Sequence, residues 1–419
     1  MKLSVLRIVI ATLLISVASC EDRDDPVHLR TLDAEEVWYT EATLKMEITS
    51  VSQPVYESGF VWSDTPAPTT SSANKQYLGS KTSPEVLSLK VTGLVVNTTY
   101  YFRSFIISES GVIYGNELSF TTLAPPSTVI PSEGFQARAS AVAFQVGGKA
   151  YIGMGHGRNA NNEIVIFKDF WEVDLVANTW TRKKDFPDAG QTGATAFVVD
   201  GRGYIVTIQD PVEWPCLSEV WQYDHINDEW SRKGEYPRGK VGWATAFTIG
   251  NKAYVGTGMD ACKGGMIADF YEYDPKLNQW TEKAKYPGQP IDQAISFAIG
   301  GKGYIGLGNN GESRYTTQMW EYDPEQNSWT RQSDCPCSEM IGSVAFVASN
   351  KAYVGTGGDL GTKNVYQFDA ATGQWTRADD FYGAARQSSV VFTFGDHVLI
   401  GTGGNGHEFF RDFVQYTPH

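Results

Sequence analysis

The chain has 419 residues and a formal net charge of −14, a balance that excludes a polyanionic partner, because nucleic-acid binding needs a basic face. With 42% hydrophobic and 20% charged residues, its composition is that of a globular protein with room for two or three domains. Beyond one short N-terminal stretch, no apolar run approaches the length of a membrane span.

That stretch reads as a processing signal over residues 1–20. Lys2 and Arg7 precede an apolar run, Ile8 to Val17, which leads into "VASC" ending at Cys20. The ending resembles the lipobox of bacterial lipoproteins, and the resemblance implies that Cys20 becomes an acylated N-terminus. The protein would then sit at the outer membrane or cell surface, held by lipid alone. "EDRDDP" follows, within a tether over residues 21–27; it reads as a solvated acidic spacer and is similar to the run after the lipidated Cys in some surface-exported lipoproteins.

From His28 to Thr122, short alternating runs such as "LKMEITSV" and "TYYFRSFIIS" are separated by Ser, Thr, Pro and Asn, which predicts a small β-sandwich. Leu94, Asn97 and Tyr100 in "LVVNTTYYFRSF" stand at the spacing of a tyrosine corner. The segment resembles fibronectin type III domains, which implies a spacer or docking role. Asn97-Thr98-Thr99 fits a glycosylation acceptor but reads as a turn. "LAPPS", residues 123–127, is a stiff proline linker.

Beyond the linker lies a repeat. Phe144, Phe197, Phe247, Phe297, Phe346 and Phe392 recur at intervals of 53, 50, 50, 49 and 46 residues, each followed seven positions later by Tyr or, in the sixth copy, Leu399. Asp174, Asp224, Asp274, Asp323 and Asp369 each precede a Trp by six positions. Every copy holds four strand-like runs, as in "WATAFTI", "KAYVGTG", "DFYEYD" and "QWTEKA", the signature of a propeller blade. The pattern resembles the Kelch repeat over residues 128–419, although most copies carry Gly-x-Gly for the family's Gly-Gly and the second carries "VTIQ". The predicted architecture is therefore all-β: a six-bladed Kelch-type propeller preceded by a fibronectin III/Ig-like sandwich.

The sixth copy ends at Tyr416 without a fourth strand, and each Trp lies 17 residues before the next Phe. Counting back 17 from Phe144 reaches Ser127, so residues 127–133 are expected to close the ring against Phe413 to Tyr416. The recurrence of "KAYIGMG" as "KAYVGTG" and "KGYIGLG" makes its glycines structural rather than a phosphate loop.

Length variation falls between the second and third strands, where a rigid scaffold carries binding loops. These loops bear His156, Arg158, Asp210, Glu213, Trp214, Asp260, Lys263, Asn309, Glu312, Arg314, Tyr315, Asp359, Lys363, His407 and Glu408. Arg138, Trp243, Gln293 and Arg386 stand where the inner strands start and are expected to line the mouth of the axial channel. Rings with amides, carboxylates and Arg around a concavity suit a glycan, peptide or protein ligand.

His156 and His407 fall in neighbouring blades of a closed ring; with Tyr315 they make a poor match to the two-His, two-Tyr copper site of galactose oxidase, and neither a metal nor a cofactor is expected. Cys216 and Cys262, in corresponding loops, are candidates for one bridge; Cys335 and Cys337 form a strained bridge, a redox pair or two free thiols. No catalytic triad, phosphate loop or metalloprotease motif is present, so a lipid-anchored binding protein is the leading reading. The runner-up is a carbohydrate-active enzyme, since bacterial N-acetylneuraminate epimerases resemble this repeat; it would pair Arg138 or Arg386 with Glu213, His156 or His407.

Overall fold

The computed structural model describes residues 27–35, 37, 41–122, 128–174, 179–208, 217–312, 315–338, 340–394 and 397–418. The signal with Cys20, the acidic tether up to Pro26 and the linker 123–127 lie outside them. The chain divides into two compact units, Met1–Pro125 and Pro126–His419.

In the first unit one sheet holds Val27–Glu35, Glu41–Val51 and Glu85–Thr92, and the other is built on Val55–Ser63 and Thr99–Ser108, flanked by Asn74–Tyr77, Gly111–Tyr114 and Leu118–Thr121. Period-2 alternation decides which face is inside: Ala42, Leu44, Met46 and Ile48 alternate as buried positions, the first three meeting Phe60, Phe102 and Phe120 from the other sheet and Ile48 meeting Val55 and Ile106. The Tyr100 hydroxyl accepts the Val95 N–H at 3.0 Å, the bond of a tyrosine corner, and Asn97 takes φ 48° in the turn between them.

The second unit is a ring of six four-stranded antiparallel sheets. Blade one runs Val142–Val146, Lys149–Gly153, Phe170–Asp174 and Thr179–Lys183 outward from the axis, and the next four blades repeat this order. Blade six takes Val390–Phe394, His397–Gly401 and Phe413–Tyr416, then Thr128–Val129 as its outermost strand, with Phe413 opposite Val129 and Val414 opposite Thr128. The propeller is thus fastened by its own N-terminal segment, and no blade is left with three strands.

The repeated residues have repeated jobs. In the first five blades the anchoring Phe stacks on the Tyr seven positions on, at 5.7 Å for Phe144–Tyr151 and 5.3 Å for Phe197–Tyr204, and in the sixth Phe392 stacks on Phe413 at 5.8 Å. Asp224, Asp274, Asp323 and Asp369 each accept two backbone N–H groups from the following turn. In three blades the Trp six positions later donates its indole N–H to a carbonyl of the preceding blade, as Trp230 does to Lys184 O at 3.1 Å.

In Gly-Met-Gly of blade one, a Cβ on Gly153 would stand 2.2 Å from the Asp169 carbonyl, while Met154 and Gly155 take φ 59° and 80° to turn the chain out of the strand. The "VTIQ" departure in blade two is absorbed locally, since the Thr207 hydroxyl accepts the Glu219 N–H at 3.1 Å.

Candidate functional site

Six residues, each four positions before an anchoring Phe, surround the axis: Ser140, Gly193, Trp243, Gln293, Gly342 and Ser388. All are in the left-handed region, with φ from 49° to 74°. That geometry turns each N–H toward the preceding blade: Trp243 donates to Gly193 O, Gln293 to Trp243 O, Ser388 to Gly342 O and Ser140 to Ser388 O, at 2.7 to 3.2 Å. The belt is a requirement of the ring, but the residues in it are not. Glycine satisfies the conformation without strain at two positions, whereas a bulky residue there costs on the order of 1–3 kcal/mol. Trp243 and Gln293 carry that strain, which marks them as functional candidates.

The two glycines explain where the two large side chains go. A Cβ on Gly193 would lie 2.6 Å from Trp243 Nε1, and one on Gly342 would lie 3.0 Å from Ser388 Oγ and 3.6 Å from Gln293 Oε1. The indole therefore lies over one glycine and the amide reaches toward the other. With Ala141, Ala194, Ala244, Ala294, Ser343 and Ser389 as its floor, the belt encloses a hollow of about 200 Å³. Beneath it the lumen continues for about 260 Å³ between alanines, Thr195 and Thr245. An indole face, one amide and four serines over an apolar floor can stack on a ring while exchanging hydrogen bonds with its hydroxyls.

Two residues expected at the mouth are elsewhere. Arg138 and Arg386 stand six positions before the Phe, and this position points between blades rather than at the axis; both are 0% exposed. Arg138 is held at 2.6 and 2.7 Å by Asp169 and at 3.0 Å by the carbonyls of Met154 and Gln136, between the rings of Phe135 and Phe167. Arg386 repeats the arrangement with Asp412, the Thr402 and Ala384 carbonyls, Phe381 and Phe410. Their guanidinium groups serve the packing and are shut off from any ligand at the mouth.

Asp260 is also a loop-holding group. It is buried, accepts the N–H groups of Cys262 and Lys263, and pairs with Arg238 at 3.1 Å. Burial pushes its carboxyl up, but those two N–H groups and Arg238 outweigh it and hold the group below the usual range.

His156 is tied to the edge of the mouth. Its Nδ1 bonds Thr192 Oγ1 at 2.9 Å, next to Gly193, and its ring meets Phe409 edge-on at 5.2 Å. Burial lowers its pKa, so the imidazole is neutral at physiological pH.

Arg158 is exposed and donates to its own turn at Asn162 O, His407 is exposed in a turn capped by Asn405, and Tyr315 is half-buried. Asp210, Glu213, Trp214, Cys216 and Arg314 lie outside the described residues. Among the described residues no group of three or more His, Cys, Asp or Glu is gathered to hold a metal.

Cys335 and Cys337 are bonded to each other, which selects the bridge among the readings of "DCPCSE". Cys335 N donates to Thr317 O just as Phe186, Tyr236, Tyr286 and Phe381 donate to their own loops, so the bridge fills the place that an aromatic ring fills at those four junctions. Cys262 is disulfide-bonded as well.

Sequence reasoning missed Ser140 and Ser388. The signal was available as the fixed offset of four from the Phe, but hydroxyls at strand starts carry no charge or ring to draw notice. It also missed Asp292, beside Gln293: this carboxyl is 4% exposed, its Oδ1 has no partner, and burial raises its pKa.

No family model and no curated protein matches the chain. Among solved structures, one described as the structure of YjhT superposes with a TM-score of 0.57 at 18% identity, over 69% of this chain and 97% of that one. With the six-sheet ring, the Phe–Tyr stacks and the outer-strand Trp, this likeness establishes the fold as a six-bladed Kelch-type β-propeller.

Proposed function

We propose that the propeller binds one sugar-sized polar ligand at its axial mouth, in a protein anchored to the cell envelope through Cys20 and spaced from it by a fibronectin III-like sandwich. The observation that carries the reading is the placement of Trp243 and Gln293, two strained residues lying over glycines above an alanine floor. The ring would stack on the apolar face of the sugar, while Gln293, Ser140 and Ser388 would fix its hydroxyls.

Titration of the purified protein with a panel of neutral and acidic monosaccharides, read by indole fluorescence, is expected to give saturable binding. Trp243→Ala would weaken it at least about tenfold and Gln293→Ala roughly three- to tenfold, the worth of one stacked ring and one hydrogen bond. If both variants bind as the wild type does, the mouth is not the site.

A turnover reading of the epimerase or mutarotase kind rests on His156, whose neutral imidazole stands beside the mouth and could serve as a base. Interconversion of sugar anomers faster than in buffer, lost in His156→Gln, would favour it over plain binding. For the anchor, metabolic labelling with a radiolabelled fatty acid is expected to mark the wild type and leave Cys20→Ala unmarked; equal labelling would remove the lipid from the proposal.

A further inference from the structure

On the face opposite the variable loops, a second and larger hollow of about 450 Å³ opens between blades four and five. It is lined by the inner hairpin turns of both blades and by the turn Asp369-Ala370-Ala371. Three sequence differences, all at this one junction, make it.

The first is size. Position 370 follows the Asp that ends the third strand, and its counterparts in the sequence are Leu175, His225, Pro275 and Pro324. At the junction of blades one and two, His225 fills the corresponding space: a Cβ on Gly147 would stand 2.5 Å from its Nε2, and its ring lies 6.3 Å from Tyr151. Ala370 leaves that space open.

The second is Glu321. Its counterparts Glu172 and Glu272 are neutralised by Lys183 at 3.4 Å and Lys283 at 3.0 Å. The same position here is Gln332, so Glu321 accepts only the Tyr304 hydroxyl at 2.7 Å and a long amide bond from Gln332. The third is Lys351. Lys149, Arg202, Lys252 and Lys302 each pair with the Asp at the end of their own third strand. Among the described residues, Lys351 and Asp369 have no ion-pair partner, although both line the hollow.

One junction thus presents two carboxylates, Glu321 and Asp369, and one ammonium, Lys351, that make no ion pair among the described residues, around an apolar patch of Ile299, Ala370 and Ala371; Lys302, paired with Asp323 at 2.6 Å, acts on Glu321 only through its longer-range charge. A scaffold that elsewhere pairs these charges and fills this space has left both available here. We propose that the hollow is a second ligand site, for a small zwitterion of the α-amino-acid type. The ligand's ammonium would face Glu321 and Asp369, its carboxylate would face Lys351, and its side chain would lie on the apolar patch.

The test is calorimetric titration of the full chain with leucine, alongside isoamylamine and isocaproate, which each keep one of its two charges. Leucine is expected to bind saturably, and each single-charge analogue at least about tenfold more weakly, because each forfeits one charge-assisted contact. Glu321→Gln and Lys351→Met should each weaken leucine by a similar factor. Ala370→His, which copies the filled junction of blades one and two, should abolish binding with the melting temperature unchanged or raised. Absence of leucine binding to the wild type, equal binding of either analogue, or full binding by Ala370→His would each overturn the assignment. The sugar titration at the mouth is independent of every one of these outcomes.

Discussion

Replacing Arg138 by Met is expected to cost the propeller about 3–5 kcal/mol, the usual penalty for leaving one member of a buried ion pair alone. Asp169, 8% exposed, would keep a charge with only the Trp171 indole N–H at 2.8 Å and the more distant Arg182 to offset it, and the carbonyls of Met154 and Gln136 would lose their donor. Arg138→Met with Asp169→Leu should recover most of the loss, because the charge goes with its partner. Arg386→Met should cost less than Arg138→Met, since the Asp412 side chain is 24% exposed and keeps part of its hydration. Urea unfolding monitored by tryptophan fluorescence measures all three.

The same pair predicts a weakened pH dependence in the variant. Burial pushes the Asp169 carboxyl up, but the bonds and charge of Arg138 outweigh it and hold the group below its ordinary value. A depressed folded-state pKa stabilises the protein above the unfolded carboxylate range, near pH 4, and that contribution is lost as pH falls through the folded value. Wild-type stability should therefore decline on acidification below about pH 4. In Arg138→Met only the Trp171 indole N–H, at 2.8 Å, and the charge of Arg182 still oppose the burial, so the pKa rises relative to the wild type and the variant should lose less stability on acidification. A variant whose stability fell in parallel with the wild type would show that the clamp contributes nothing.

Why the sequence revealed the ring but misplaced the two arginines follows from what a repeat encodes. The Phe, Tyr, Asp and Trp of each copy make one contact each, repeated from blade to blade, so their spacing maps directly onto strands. The belt at the mouth is encoded by conformation instead. Ser140, Gly193, Trp243, Gln293, Gly342 and Ser388 share a φ, not a chemistry, and no residue type repeats through all six. Arg138 and Arg386 stand only two positions earlier, and in an extended segment their charge suggested solvent. The structure buries them between Phe pairs in blades one and six, where the corresponding positions of the next four blades hold Gln191, Val241, Ile291 and Met340. Two arginines against four mostly apolar counterparts was the available sign that these are core positions.

The hollow between blades four and five was illegible for a related reason. Ala370, Gln332 and Lys351 are unremarkable singly. They matter because other blades place Leu, His or Pro at the first point, Lys at the second in blades one to three, and a paired Lys or Arg at the third, and only the register of the finished ring brings those three differences together.

The closing seam carries the second large effect. Removing residues 128–133 would strip blade six of its outer strand and leave Phe413–Tyr416 as an open edge, a template for pairing with another chain. The shortened chain is expected to elute as oligomers or aggregate rather than as a monomer in size-exclusion chromatography. A monomer with the wild-type melting temperature would show that the two-residue ladder is dispensable.

The point variant Phe135→Ala isolates the packing part of the seam. Phe135 is 0% exposed and sits 5.0 Å from Trp180 and 6.1 Å from Trp171, so its loss should cost about 3–5 kcal/mol without opening the ladder. One contact at this seam is weaker than at three of the other junctions. The indole N–H groups of Trp230, Trp329 and Trp375 each reach a carbonyl of the preceding blade at 2.8 to 3.1 Å, whereas Trp180 Nε1 is buried without a partner. The strand that precedes Trp180 in the ring is the imported one, and it supplies no acceptor there. Trp230→Phe should therefore cost about 1 kcal/mol more than Trp180→Phe, the net worth of the missing bond. Equal losses in the two variants would mean that Trp180 finds an acceptor in solution and that the seam is as well bonded as any other junction.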